Sequence, residues 1–232
     1  MLLNKEESPL VLGFDAIDRV FKYPQISQDF FYLLRSWHED ANNYEIWERL
    51  RLVVVHCTEN YGKLDINQSP FNVGLPIALE EFTAEQVKDL AQRHRLDWQD
   101  DRTQQLMNMV GGHPYLIQLA FSYLVAHQDA NLKELLQTAP TQEGIYSQHL
   151  RPLLIILRGD FKLATAFAQV INTSEPVQID STIAYKLYSM GLVQWQGDRV
   201  IPRCQLYRQY FRERIGVENK DSNLWQLTDI TK

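Results

Sequence analysis

Cysteine is scarce in this sequence, and positive charge is not in excess. The 232 residues include two cysteines, Cys57 and Cys204, which lie far apart and form no CxxC pair. Neither a disulfide framework nor a thiolate zinc site is therefore expected, and two reduced thiols are typical of a cytoplasmic protein. The net charge of −6 provides no overall basic field that would attract nucleic acid or an anionic membrane.

Long apolar runs and common catalytic motifs are also missing. The apolar run at residues 9–14 is too short to span a membrane and lacks the basic start of a secretion signal. The six histidines form no HExxH or other metal-binding spacing, and no GxSxG nucleophile motif occurs. With 45% hydrophobic residues, the chain is predicted to be globular, with one large domain or two modest ones.

The stretch PLVLGFDAIDRVF at residues 9–21 is the centre of the predicted fold. Its apolar residues 10–14 run directly into Asp15, and Asp18 follows three residues later. An uninterrupted apolar run predicts a strand buried on both faces of a parallel sheet, with its carboxyl end at the ligand crevice. Asp15 is therefore either a magnesium-holding carboxylate of a P-loop nucleotidase or an acid that caps a helix after a core strand.

A second strand of the same kind follows one helix later. Apolar residues at helical spacing predict a helix over residues 26–40. Residues 52–55 form a β-branched run that leads into the polar residues 56–59, which include Thr58. Two buried strands joined by a helix predict a βαβ unit with parallel strands. A sheet of this type seldom opens on a central strand, so we expect that an upstream part is missing.

The middle of the chain is predicted to be all helical. Thr83 has the pattern of an N-cap, with Gln86 as its capping-box partner. The Gly111-Gly112 pair predicts a helix end, and Pro114 suits the first turn of the next helix. The predicted helices cover residues 84–94, 100–110, 114–126 and 132–137.

The following segment has the elements of a winged helix. The predicted helices cover residues 145–157, 161–171 and 181–190. Two short strands separated by the Gly197-Asp198 turn then predict a hairpin. In the third helix Lys186 is the single basic residue, which argues against DNA binding by that helix. An arginine-rich amphipathic helix at residues 204–214 is predicted to dock against a neighbouring domain.

Four blocks of sequence in this order resemble a known family. The blocks are VLGFDAIDRVF, SPFNVGLPIALEEFTAEQV, LMNMVGGHPYLIQLA and SMGLVQWQGDRVIPRCQLYRQYFRER. They are similar to the P-loop ATPases of the STAND type, and most of all to the AAA-like domain found in many cyanobacterial signalling proteins. The resemblance covers about residues 9–215, which is nearly the whole chain.

The resemblance implies roles for five positions. Asp15 corresponds to the Walker B aspartate, which holds Mg²⁺ through water, and Thr58 corresponds to a sensor of the terminal phosphate. Gly112, His113 and Pro114 correspond to the lid motif that packs against the adenine base. Without the resemblance, this Gly-Gly-His-Pro stretch predicts only a helix end followed by a helix start.

Two departures from the family pattern point away from catalysis. No GxxxxGK[ST] motif occurs. The pair Gly62-Lys63 does not complete one, because Leu64 follows it where the motif requires Ser or Thr. A P-loop and its lysine provide most of the grip on phosphates. Ala16 follows Asp15 where the family places the glutamate that orients the attacking water, and loss of such a base costs about 10²–10⁴ in rate.

The sequence thus predicts four segments. An α/β partial P-loop nucleotidase sheet is followed by an all-helical lid, a winged-helix domain and a polar tail. Their predicted bounds are residues 1–78, 79–140, 141–215 and 216–232.

The predicted function is a non-catalytic regulatory or protein-interaction module that is degenerate for ATP hydrolysis. The first alternative is the C-terminal part of a nucleotide-binding switch ATPase whose P-loop lies upstream or on a partner, and the second is a winged-helix DNA-binding regulator. ATP or ADP with Mg²⁺ is expected only if the missing P-loop part is supplied. A protein partner or a second copy of the chain is expected to bind at the incomplete sheet edge. Binding to a membrane or to nucleic acid is not expected.

Overall fold

The computed structural model describes residues 8–56, 73–127 and 129–215 of the chain. The chain divides into two compact units, Met1–Leu79 and Glu80–Lys232. The first contains a small parallel sheet with a helix, and the second is mostly helical. Each unit has a hydrophobic core of its own.

The first unit is a βαβ unit with parallel strands. Its described elements are β1 Leu10–Phe14, a 3₁₀ helix Ile17–Lys22, α1 Pro24–Asp40, a 3₁₀ helix Trp47–Arg49 and β2 Leu50–Val54. The strands pair in a register that runs from Leu10 opposite Leu50 to Phe14 opposite Val54. The predicted order of strand, helix and strand is confirmed, and so is the parallel pairing.

Helix α1 packs on one face of this sheet because its apolar residues recur at helical spacing. Phe31 and Leu34, three residues apart, are fully buried, and Ile17 completes the core. The rings of Phe14 and Phe30 meet edge to face, with 5.7 Å between their centroids. The contact joins the last residue of β1 to the middle of α1.

The two strands are buried on one face instead of both. Side chains alternate between half-buried and exposed along β1 and β2. Val11 is 63% exposed and Val53 is 49% exposed, whereas Phe14 and Val54 pack against the core. The prediction of burial on both faces is therefore wrong for the described residues. The reason is that, among the described residues, a single helix covers one side of the sheet and none covers the other.

Eight helices and one hairpin are described in the second unit. They are α2 Ala84–Arg93, α3 Asp100–Val110, α4 Pro114–Ala126, α5 Leu132–Thr138, α6 Ser147–Arg158, α7 Phe161–Asn172, α8 Ser181–Ser189, β3 Val193–Gln196, β4 Arg199–Pro202 and α9 Gln205–Ile215. Each predicted helix of this part is present, with ends that differ by two residues at most. Among the described helices of the chain, none is long and apolar enough to cross a membrane.

Several helices of this unit begin with the caps that their sequences predict or allow. Oγ1 of Thr83 accepts the N–H of Gln86 at 3.3 Å, and the side chain of Gln86 accepts the N–H of Thr83 at 2.9 Å. The predicted capping box is therefore confirmed. The side chains of Asp160 and Asp180 cap α7 and α8 by accepting backbone N–H groups of the first turn.

One hydrophobic core joins α2 through α9. The aromatic face of α9 lies in this core, since Tyr207, Tyr210 and Phe211 are buried. The rings of Phe211 and Phe167 on α7 meet edge to face at 5.4 Å. The apolar side chains of this helix are therefore used within their own unit, and the predicted docking of the helix against a neighbouring domain stays a prediction.

The arginines of α9 also contact their own unit. Nη1 of Arg208 donates to the carbonyls of Ile171 at 2.9 Å and of Thr173 at 2.5 Å, at the end of α7. Nη1 of Arg214 donates to the carbonyl of Tyr210 at 2.7 Å. Cations beside the carbonyls at a helix end are favourable, so the contacts of Arg208 stabilise the packing of α9 on α7.

The hairpin follows α8 as predicted. Strands β3 and β4 pair antiparallel, and Gly197 in the turn has a left-handed φ of +61° that favours glycine. Val177 adds an antiparallel bridge to Val200 on β4. The helices α6 to α8 and this hairpin are the elements predicted for a winged helix, and that assignment stays a prediction.

Candidate functional site

Asp15 lies at the carboxyl end of the parallel sheet. It follows β1 directly and is exposed, and its Oδ1 accepts the backbone N–H of Ala16 at 2.8 Å. Pairing continues past the strands, since the N–H of Val55 donates to the carbonyl of Phe14 at 2.8 Å. The N–H of Ile17 donates back to the carbonyl of Val55 at 3.1 Å. Asp15 is thus held at the edge where sheets of this kind bind ligands.

Ala16 departs from ordinary geometry as well as from the family pattern. Its φ of +52° is left-handed, which is rare for a residue with a Cβ. Its methyl group cannot accept a proton, so this position supplies no general base. The structure therefore places a carboxylate and a chemically inert side chain next to each other at the ligand edge.

The described residues fit Mg²⁺ only in part. Mg²⁺ takes near-octahedral oxygen coordination, and Asp15 supplies one carboxylate, one oxygen of which already accepts an N–H. In residues 8–56, 73–127 and 129–215, no group of three or more His, Cys, Asp or Glu side chains is placed to hold a metal. Asp15 would therefore hold Mg²⁺ only together with other oxygen donors, such as nucleotide phosphates and water.

In the second unit, the Gly-Gly-His-Pro stretch forms the turn between α3 and α4. Gly111 has a left-handed φ of +65° and ends α3 after Val110. His113 precedes α4, and Pro114 lies in the first turn of that helix, where it needs no N–H donor. The predicted helix end and helix start are confirmed.

Gly112 packs tightly against the segment that leads into α2. Its N–H donates to Oε2 of Glu81 at 3.1 Å, and its carbonyl accepts the N–H of Phe82 at 2.8 Å. A Cβ on Gly112 would lie 2.4 Å from the carbonyl oxygen of Phe82, which is closer than nonbonded atoms can approach. The close approach of two backbone segments therefore requires glycine at this position.

An ion pair that the sequence did not predict holds this turn in place. Nε of Arg203 donates to Oε1 of Glu81 at 2.7 Å. The two side chains are 28% and 32% exposed, so solvent screens the pair only in part. Because Glu81 also binds Gly112, one carboxylate joins the start of α2, the turn before α4 and the residue after β4.

His113 extends from the turn into a group of rings. Its ring centroid lies 5.7 Å from that of His149 and 6.5 Å from that of Tyr115. Nδ1 of His113 is buried and has no hydrogen-bond partner in the described part of the chain. Burial lowers the pKa of His113, Arg203 lowers it further, and Glu81 acts in the opposite direction.

Acidification should destabilise the second unit. Burial, with a smaller contribution from the neighbouring His113, lowers the pKa of His149 from 6.5 to about 4. The unfolded chain therefore binds a proton that the folded unit excludes. Stability that is fully present above the unfolded pKa of 6.5 is lost as the pH falls toward 4. Urea unfolding followed by far-UV circular dichroism, near neutral pH and again near pH 5, measures this loss.

Two variants separate His149 from the other histidines. His149→Phe removes the titrating ring, together with its 2.7 Å hydrogen bond to the Tyr207 hydroxyl, and should reduce the difference in stability between the two pH values. His127→Gln, at an exposed position, should leave that difference unchanged. An equal loss on acidification in the wild type and in His149→Phe would contradict the assignment.

The predicted site residues fall in two units. Asp15 lies in the first unit, and His113 and Pro114 lie in the second. Thr58 lies outside the described residues. The first unit offers a carboxylate at a sheet edge, and the second unit offers a turn that requires glycine. The binding of ATP or ADP by these residues stays a prediction.

A parallel sheet with a carboxylate at its carboxyl edge, followed by a helical unit, resembles the fold of a P-loop ATPase. A solved structure of this class, a Walker-type ATPase of Pyrococcus abyssi, matches the chain with a TM-score of 0.56. The two sequences are 14% identical, so the match shows a shared fold. It covers 88% of this chain and 63% of the length of the ATPase chain.

The chain belongs to the AAA-like domain family, whose model matches residues 1–213. A comparison with curated proteins gives no significant match. The resemblance of the sequence blocks is therefore confirmed at the level of the AAA-like domain. The narrower likeness to STAND-type cyanobacterial signalling proteins stays a prediction.

Proposed function

We propose that this AAA-like domain is a non-catalytic regulatory module of the STAND type that acts through protein contacts. The observation that carries the proposal is that Ala16 directly follows Asp15 at the carboxyl end of β1. Asp15 is suited to hold the magnesium ion of a nucleotide, but the methyl group beside it cannot activate water. Loss of a general base costs about 10²–10⁴ in rate, so the domain is degenerate for ATP hydrolysis.

The turn before α4 supports this proposal. The N–H and the carbonyl of Gly112 are bonded to Glu81 and Phe82, and Glu81 is paired with Arg203. The turn is therefore held by donors and acceptors of the protein itself. A turn held in this way suits a module that acts through protein contacts.

The sheet of the first unit offers a surface for a partner. Val11, Val53 and Val55 expose 63%, 49% and 44% of their surface. Apolar side chains grouped on adjacent strands form a patch that favours protein contacts. The described edges of the two-stranded sheet also carry backbone groups that a further strand can pair with. A protein partner or a second copy of the chain covers this face in our proposal.

The winged-helix arrangement of α6 to α8 and the hairpin is part of the proposal, and it serves protein contacts in preference to DNA. Nζ of Lys186 on α8 lies 4.0 Å from Oδ2 of Asp160, which offsets its charge. The net charge of −6 further disfavours a nucleic-acid partner.

A cytoplasmic location is also proposed, on the basis of the two cysteines. Cys204 is a buried free thiol. Burial raises its pKa to about 12, so it remains protonated and unreactive. A reducing compartment suits such a thiol.

A nucleotide-binding switch ATPase is the second candidate. It is favoured by the exposed position of Asp15 at the ligand edge and by the fold shared with a Walker-type ATPase. In that case a P-loop supplied upstream or by a partner would grip the phosphates. ATP or ADP with Mg²⁺ would then be the ligand.

Isothermal titration calorimetry with ATP or ADP and Mg²⁺ separates the two candidates. We expect no binding in the micromolar range, because the sequence lacks the P-loop lysine and its cradle of N–H groups. Asp15→Asn should give the same result as the wild type. Micromolar binding that Asp15→Asn abolishes would overturn the non-catalytic proposal. Affinity that appears only when a P-loop fragment is added would favour the switch ATPase.

A further inference from the structure

A polar cleft of about 350 Å³ opens in the second unit, between the end of α3, the hairpin and the start of α9. Its hydrogen-bonding side chains include those of Asn108, Gln194, Gln196, Arg203, Gln205 and Arg208. The described residues that line it include no aspartate or glutamate, although the chain as a whole has a net charge of −6. The cleft is therefore a local exception to the acidic character of the protein.

One face of the hairpin contributes two amide side chains to the cleft. Gln194 and Gln196 are two residues apart on β3, so their side chains emerge on the same face of the strand. Both are exposed, and Gln194 lies opposite Ile201 of β4, which also lines the cleft. Each amide group has two N–H donors, so this face is suited to bind an acceptor-rich group.

Arg208 gives the cleft its positive charge. Its Nη1 donates to the carbonyls of Ile171 and Thr173, which hold the side chain in place without neutralising it. Arg203 contributes less, because Glu81 offsets its charge through the 2.7 Å ion pair. A fixed guanidinium beside several amide donors is the arrangement that recognises carboxylate or phosphate oxygens.

We propose that this cleft binds a carboxylate-bearing segment of a protein partner. The proposal rests on the proposed function as a protein-interaction module and names the chemistry of one of its contacts. A volume of about 350 Å³ is at the small end of the range for ligand pockets, so the cleft accommodates a short acidic segment. Recognition of acidic motifs by arginine is a recurring mode of peptide binding.

NMR titration of the ¹⁵N-labelled full chain with a capped hexaglutamate peptide tests the proposal. We expect the side-chain amide signals of Gln194 and Gln196 to shift at low ionic strength. The shifts should shrink in about 0.5 M NaCl, because salt screens the attraction between exposed charges. Capped hexaglutamine has the same length without the charge and should leave the signals unchanged.

Gln196→Glu and Gln209→Glu form a matched pair of variants. Both add one negative charge at an exposed position, but residue 196 lines the cleft and residue 209 on α9 does not. Gln196→Glu should weaken binding of hexaglutamate about tenfold through like-charge repulsion inside the cleft. Gln209→Glu should bind as the wild type does.

Three results would overturn the proposal. The first is the absence of shifts with hexaglutamate. The second is equal weakening by both variants, which would mean that overall charge attracts the peptide. The third is binding of inorganic phosphate without binding of hexaglutamate, which would assign the cleft to a free anion. None of them changes the outcome of the calorimetry with ATP, so failure of the cleft and failure of the proposed function are distinguishable.

Discussion

Gly112→Ala is expected to destabilise the second unit by about 3 kcal/mol or more. A Cβ at this position would lie 2.4 Å from the carbonyl oxygen of Phe82 and 2.8 Å from Cβ of Glu81. Backbone atoms cannot move aside as the end of a flexible side chain can. The turn would therefore shift and lose its hydrogen bonds to Glu81 and Phe82. Urea unfolding followed by far-UV circular dichroism measures this loss through the helices of the unit.

Gly159→Ala is the matched control for this prediction. Gly159 follows α6 with an ordinary right-handed φ of −75°, and a Cβ there would lie 3.4 Å from the nearest atom, the carbonyl oxygen of Ile156. The free energy of unfolding should change by about 0.5 kcal/mol or less. If Gly112→Ala were as mild as Gly159→Ala, the close contact between the turn and residues 81–82 would be refuted.

Phe211→Ala should cost about 3–5 kcal/mol in the free energy of unfolding. The side chain is fully buried, and its ring lies 5.4 Å from that of Phe167 and 5.1 Å from that of Tyr210. Truncation removes these contacts and leaves a cavity at the point where α7 and α9 meet. The same urea unfolding experiment measures the effect.

Arg212→Ala provides the comparison on the same helix. Arg212 lies one residue further along α9 and is exposed, so its removal should change stability by about 0.5 kcal/mol or less. A cost for Phe211→Ala as small as that for Arg212→Ala would mean that α9 does not dock in its own unit.

Local features of this protein were predictable from the sequence because they depend on residues within one turn of each other. The capping box of Thr83 and Gln86 is an example, since its two hydrogen bonds join positions three apart. The end of α3 at Gly111 is another, because a left-handed φ is a property of one residue. The βαβ order and the place of Asp15 after β1 follow from apolar runs of the right length.

Three features were not predictable from sequence patterns. The Glu81–Arg203 pair joins residues 122 positions apart, and Glu81 looks like an ordinary acid ahead of the N-cap Thr83. The exposure of Val11 depends on which layers cover the sheet, and an apolar run does not encode that. The cleft around Arg208 arises where α3, the hairpin and α9 converge, and no spacing along the chain reports it.

The sequence by itself determined the order and the ends of the secondary-structure elements, the likeness to the AAA-like domain family, and the placement of Ala16 beside Asp15. These depend on residue identity and on short spacings, because local backbone conformation is set by residues that are close in sequence. The tertiary structure decided that Gly112 is clamped between two segments, that α9 packs in its own unit, and that β1 and β2 are covered on one face. These depend on which surfaces meet after folding, because contact energies are set by packing between distant residues and leave no periodic signal in the chain.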